Sequence, residues 1–229
     1  DAGISCRETE KRMSRLGLSM KLVKAIFISH EHSDHIRGVP VLAHKYNLPV
    51  YVSHKTLQHC PFTLNRQQVR YLQAQEDIMI GALCIRPFPK LHDASEPHSF
   101  VVSCAGKNVG VFTDIGKPCI HLTYHFKTCH AAFLESNYDE ELLEKGKYPI
   151  YLKNRIRGGQ GHLSNKEALH FFKEHKPHYM QHLVLAHLSK ENNCPDLVHR
   201  LFTKEAAGTR VTVASRYQET TVFSISCEE

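Results

Sequence analysis

Apolar positions fall along this chain in short blocks whose spacing keeps switching. Runs of strand length occur at Lys24 to Ser29, Leu48 to Ser53, Asp77 to Ile80, Leu83 to Phe88 and Ser99 to Cys104. They recur at Val109 to Thr113, Ala131 to Leu134, His182 to Ala186, Arg210 to Ala214 and Thr221 to Ile225. Stretches of helical spacing lie between them, at Asp34 to Tyr46, Ser164 to Lys173 and Pro195 to Glu205. Gly81-Ala82 and Gly106-Lys107-Asn108 read as turns between paired strands, and Pro49 marks a strand edge. Ser164 followed three residues later by Glu167 predicts a capping box. The pattern gives a mixed α and β chain, of the kind that packs two sheets face to face with helices outside. No linker, repeat or low-complexity segment interrupts it, which predicts one domain over 1–229.

Composition narrows the class. Of 229 residues 41% are hydrophobic and 23% charged, ordinary for a globular chain with ample core. No run approaches the roughly 18 apolar residues of a membrane helix. A net charge of +6 permits a polyanionic partner. The eight cysteines form no Cys-x-x-Cys pair, and Cys84 and Cys104 sit in apolar runs as small hydrophobes. A reduced, cytoplasmic chain without disulfides is expected. Among the 18 histidines, His121, His125, His130, His170, His175 and His178 read as surface or packing residues.

The chemistry concentrates at Ser29-His30-Glu31-His32-Ser33-Asp34-His35, a His-x-His-x-Asp-His cluster between an apolar strand and a helical run. A strand feeding a tight loop into a helix brings all four side chains into one small volume. Imidazole nitrogen and carboxylate oxygen are ligands for zinc, manganese or iron. The spacing is too tight for one tetrahedral site and suits two adjacent metals, with His30 and His32 on one and Asp34 and His35 on the other.

This cluster resembles the signature of the metallo-β-lactamase superfamily, and the likeness continues with Leu91-His92-Asp93-Ala94, Val111-Phe112-Thr113-Asp114 and Leu183-Val184-Leu185-Ala186-His187. It is most similar to the YycJ/WalJ-like, exonuclease-like branch. Asp1-Ala2-Gly3-Ile4-Ser5, His92 to Pro97, Leu134 to Tyr138, Gly161 to Asn165, His187-Leu188-Ser189 with Asn192-Asn193, and Ala214 to Tyr217 carry that likeness. Family members begin with a further strand pair, so Asp1 as the first residue implies missing N-terminal strands. The resemblance implies a four-layer αββα sandwich. It also implies two divalent ions, zinc or manganese: His30, His32 and His92 on one, Asp34, His35 and His187 on the other, Asp114 bridging. Such a pair yields an activated hydroxide, and Asp34 counts among the catalytic residues as well as the ligands.

Glu135 ends a strand and His162 precedes a helix. In the nuclease and phosphodiesterase branches a similarly placed histidine, paired with a carboxylate, gives a proton to the leaving oxygen, which a phosphoester needs. Lys153, Arg155 and Arg157, beside Gly158-Gly159, suit phosphate contact, with Lys90 and Arg216 as weaker candidates. The expectation is a metal-dependent phosphodiesterase acting on DNA as a 5′-3′ exonuclease. The alternative is a small-molecule hydrolase for a thioester, lactone or cyclic phosphodiester.

Overall fold

The computed structural model describes residues 1–226, so Cys227 lies outside them. The backbone forms two compact units, one of Asp1–Pro89 with Ala94–His98, the other of Lys90–Asp93 with the chain from Ser99 onward.

In the first unit, α1 (Cys6–Arg15) is opened by Ser5, whose hydroxyl accepts the Glu8 N–H, and is braced by a Glu8–Arg12 pair at 2.8 Å. Strands β1 (Ile26–Phe27), β2 (Val50–Val52) and β3 (Val69–Tyr71) form a parallel sheet in that order. Ile26 faces Val50, and Val50 faces Val69. Ile26, Ile28, Ile36, Val39, Leu42 and Val50 are buried around them, each contributing about 1.5–3 kcal/mol of apolar burial. The helix expected over Asp34 to Tyr46 is two helices, α2 (Ser33–Ile36) and α3 (Val39–Tyr46). They separate at Gly38, which passes so close to residues 2–4 that a Cβ would lie 2.1 Å from the Ile4 carbonyl oxygen. The short α4 (His54–His59) follows β2, and β4 (Ile78–Ile80) pairs antiparallel with β5 (Leu83–Pro89), the expected hairpin.

In the second unit β6 (His98–Cys104) pairs antiparallel with β7 (Lys107–Phe112). The turn is tighter than expected. It is Ala105-Gly106, with φ of 47° and 75°, the left-handed pair of a type I′ hairpin, and Lys107 is already in the strand. Strands β7, β8 (Ala131–Glu135), β9 (His182–Ala186) and β10 (Arg210–Val213) run parallel side by side. Between them come α5 (Ile120–Phe126), α6 (Glu140–Lys145), α7 (Ile150–Arg157), α8 (Asn165–His175) and α9 (Pro195–Thr203). Phe112, Phe126, Phe172 and Leu134 are wholly buried. Both hydrogen bonds of the capping box at Ser164 and Glu167 are present. The strand expected over Thr221 to Ile225 is absent. Chain there is held by side chains instead, His182 Nε2 meeting the Ser224 carbonyl at 2.9 Å and Gln181 bonding Ser226, so no ladder forms.

Among the described residues no helix is long and apolar enough to cross a membrane. All seven described cysteines carry free thiols.

Candidate functional site

Parallel strands gather functional groups at their carboxyl ends, and the second unit does this three times over. Phe112 is level with Leu134, Leu134 with Leu185, and Glu135 with Ala186. Asp114, Glu135 and His187 therefore leave β7, β8 and β9 at one edge. Asp114 and His187 both sit in the left-handed region, with φ of 56° and 58°. That conformation costs a non-glycine residue on the order of 1 kcal/mol and marks a site whose geometry is imposed.

Glu135 is the hub. Its side chain is wholly buried. Oε1 accepts from Nδ1 of His162 at 2.8 Å and from Nδ1 of His187 at 2.9 Å. Oε2 accepts the backbone N–H groups of Ile115 at 2.8 Å and Leu163 at 3.2 Å. Burial alone would raise the pKa of this carboxyl. The facing His162 and His187 outweigh it and hold Glu135 below the usual carboxylate range. Glu135 thus fixes both rings from their Nδ1 side and turns the Nε2 atoms of His162 and His187 away from itself. The ligating atoms of Asp114, Glu135, His162 and His187 lie within 4.8 Å of one another.

His92 is set the same way by a different partner. Its Nδ1–H donates to the Gly161 carbonyl at 3.0 Å, which leaves Nε2 facing Asp114 Oδ1 at 3.8 Å. His187 Nε2 faces the same oxygen at 3.4 Å. Burial foremost, with the charge of Lys90, pushes the His92 pKa down to about 4, against the pull of Asp114, so the ring is neutral at neutral pH. Gly161 must be glycine, because a Cβ there would lie 2.1 Å from the Ile156 carbonyl oxygen.

In the first unit an aspartate plays the hub. Asp1 Oδ2 accepts from His35 Nδ1 and from the Ser29 hydroxyl, each at 2.7 Å, and Ser29 Oγ lies 2.9 Å from His30 Nδ1. His30 and His35 are buried with ring centroids 4.2 Å apart, and His30 Nε2 is 3.0 Å from His32 Nδ1. Asp34, more exposed, reaches within 3.8 Å of His35 Nε2. Gly3 lets residues 1–4 cross this loop: a Cβ there would lie 1.4 Å from the Asp34 carbonyl oxygen. Glu31 accepts the N–H and hydroxyl of Ser95 at 2.8 and 2.6 Å.

Two clusters of imidazole nitrogen and carboxylate oxygen, with carboxylates and carbonyls fixing the tautomers from behind, fit zinc or manganese by donor chemistry. The structure thus brings together His92, Asp114, Glu135, His162 and His187 in one unit and His30, His32, Asp34 and His35 in the other.

The basic segment differs from expectation. It is helix α7, and Lys153 is buried with its ammonium on the Glu144 carbonyl, so it is not a phosphate contact. Arg155 pairs with Asp93, and Arg157 with Glu144 at 3.0 Å. Lys90 is also inside, donating to the Thr113 carbonyl at 2.8 Å with Asp114 at 4.0 Å. Arg216 donates to the Leu188 carbonyl at 3.1 Å. Asp1, Ser29 and Lys90 are the supporting residues that sequence reasoning did not place. No spacing rule links Asp1 to His35 across 34 residues.

Comparison with known proteins gives the family and the fold. A family model described as "Beta-lactamase superfamily domain" matches residues 1–188. The chain is 34% identical over 200 residues to the "Exodeoxyribonuclease YycJ" of Bacillus anthracis, covering 86% of this chain and 76% of that one. It is 30% identical over 212 residues to the "Exodeoxyribonuclease WalJ" of Streptococcus pneumoniae strain D39, covering 90% and 79%. Among solved structures, the metallo-β-lactamase fold protein YhfI of Bacillus subtilis superposes with a TM-score of 0.68 at 16% identity, over 92% of this chain and 82% of that one. That likeness shows the fold.

Proposed function

The chain belongs to the β-lactamase superfamily, and from that premise we propose that it is a metal-dependent hydrolase that degrades DNA from a 5′ end. The names of its relatives support the substrate. The observation that carries the chemistry is Glu135, one buried carboxylate orienting the two imidazoles of His162 and His187.

By the family resemblance, His30, His32 and His92 would hold one metal ion and Asp34, His35 and His187 the other, with Asp114 serving both. Bound zinc or manganese ions would supply Lewis acidity and a water of lowered pKa. The chain's own residues do the rest. Asp1 and Glu135 hold their imidazoles in one tautomer and one orientation, a role whose loss typically costs 10- to 100-fold in metal affinity or activity. Lys90, buried with its Nζ 4.0 Å from Asp114, stands behind that carboxylate, and burial pulls its own pKa down against the pull of Asp114 and Glu135. His162 is the proton donor: with Nδ1 bound to Glu135, a proton on Nε2 is the one it can hand to the leaving 3′ oxygen. Arg155 and Arg157 hold flanking phosphates. Their present pairs with Asp93 and Glu144 are partly exposed, and such pairs are worth only about 0–1 kcal/mol, so phosphate can displace them. The free thiols suit the cytoplasm.

The test is an assay on 5′- and 3′-end-labelled DNA, duplex and single-stranded, with Mn²⁺ or Zn²⁺ supplied. Metal-dependent loss of nucleotides from the 5′ end is expected. A metal-loaded protein that spares every nucleic acid but cleaves a thioester or lactone replaces this reading with the small-molecule one.

A further inference from the structure

We propose that the first unit carries a subsite for one unpaired base of the DNA strand, in a cavity distant in sequence from every residue assigned above. This deepens the DNA reading and rests on it. The cavity has a volume of about 510 Å³ and is lined by Leu57, Phe62, Leu64, Arg66, Val69 and Tyr71. That volume lies within the roughly 300–1,000 Å³ of small-ligand sites.

The walls follow from the local fold. Val69 and Tyr71 stand two apart on β3 and so share a face of the strand. Leu57 comes from α4, and Phe62 and Leu64 from the connection between them. Tyr71 is 60% exposed, an unusual amount for an aromatic ring on a strand. Its ring leans on His54, centroids 5.4 Å apart, which fixes its angle without covering it.

The stretch of chain that supplies this cavity carries charge of one sign. From His35 through Gln75 the chain has 41 residues without an aspartate or glutamate, while Arg37, Lys45, Lys55, Arg66 and Arg70 fall inside the run. Lys45 and Lys55 are balanced from outside it, by Glu10 and Glu96. Arg66, exposed on the cavity wall, has no carboxylate partner among the described residues, and Arg70 bonds only the carbonyls of Gln67 and Val69. Apolar walls, an open aromatic face and an uncompensated guanidinium suit a flat heterocycle carrying a phosphate. Stacking on an aromatic face beside a cation is how single strands are gripped without sequence preference. A base within a duplex has both faces covered by its neighbours, so the ligand is an unpaired one.

The experiment measures binding by the metal-loaded full chain of two fluorescent single strands of equal length, both with cleavage-resistant phosphorothioate links. One is oligothymidylate and the other is abasic. Wild type should prefer the base-bearing strand. Tyr71→Ala should lose about tenfold in affinity for it, the usual worth of one stacked base, and lose the preference. Tyr71→Phe should keep both, which separates stacking from damage to the fold. Arg66→Ala should flatten the salt dependence on both strands by about 0.7 in slope, as for one lost phosphate contact to a single strand. Equal binding of the two strands by wild type, or an undiminished preference in Tyr71→Ala, overturns the subsite. Wild-type protein that degrades DNA yet binds both strands equally overturns the subsite alone. Protein that neither binds nor degrades DNA overturns the proposed function and the subsite with it.

Discussion

At the scale of single residues, two carboxylates, Glu135 wholly buried and Asp1 nearer the surface, organise the imidazoles. Asp1 and Glu135 each orient imidazoles from behind, so replacing either changes direction and tautomer before it changes composition. His162→Ala should lower kcat by about 10²–10⁴, the worth of a general acid, with bound metal per chain near normal. Simultaneous loss of metal, measured by elemental analysis, would make His162 a ligand and refute the donor role. Glu135→Gln should cost more than His162→Ala in metal retention, because Glu135 also holds His187. Asp114→Ala should bind less metal than wild type, and an unaltered metal content would sink its assignment as a shared ligand. The sequence made the first-rank donors legible, because six residues holding three histidines and an aspartate have few other uses. It did not reveal Asp1 or Lys90 as supports, since their partners His35 and Thr113 are remote in sequence. Nor did it reveal the left-handed backbone at Asp114 and His187, since neither residue type announces it.

At the scale of elements, strands were easier to read than helices. The parallel core strands β8 and β9 are continuous apolar runs, as burial on both faces demands. The missed helices α4, α5, α6 and α7 span only 6, 7, 6 and 8 residues, too few turns for a 3.6-residue period to show, and the missed α1, of 10 residues, buries only Cys6 and so carries no apolar stripe to read. Helix α7 puts the three cations expected to contact phosphate in different surroundings. Lys153 points in, while Arg155 and Arg157 stay partly exposed. Arg157→Ala should therefore weaken duplex binding evenly across sequences and flatten the slope of log affinity against log salt by about 0.9. The same substitution at Lys153 should instead lower thermal stability, because it strips the Glu144 carbonyl of a buried donor. An unchanged salt slope in Arg157→Ala would remove α7 from the DNA path.

At the scale of the whole molecule, the buried ionisable groups tie folding to pH. His92 is neutral in the fold, its pKa pushed down to about 4 chiefly by burial and next by Lys90. In the unfolded chain the same ring titrates near 6.5. Below pH 6.5 the unfolded state therefore takes up a proton that the folded state refuses, and stability falls as the pH falls toward about 4. Glu135 acts in the same direction but lower down. Its carboxylate is stabilised in the fold by His162 and His187, a contribution present above its ordinary value of 4.5 and lost as pH falls through its depressed one. Acid should thus loosen the metal-free protein in two ranges, first through His92 and then through Glu135. Unfolding free energies from urea melts in EDTA from pH 7.5 to 4.5 should decline for wild type, by up to about 1.4 kcal/mol per pH unit for one proton. His92→Gln, which keeps a donor for the Gly161 carbonyl but cannot charge, should show a shallower decline between pH 6.5 and 4.5. Parallel curves for the two proteins would mean that His92 takes up its proton in the fold as readily as in the unfolded chain, and that its burial does not hold it neutral for a metal.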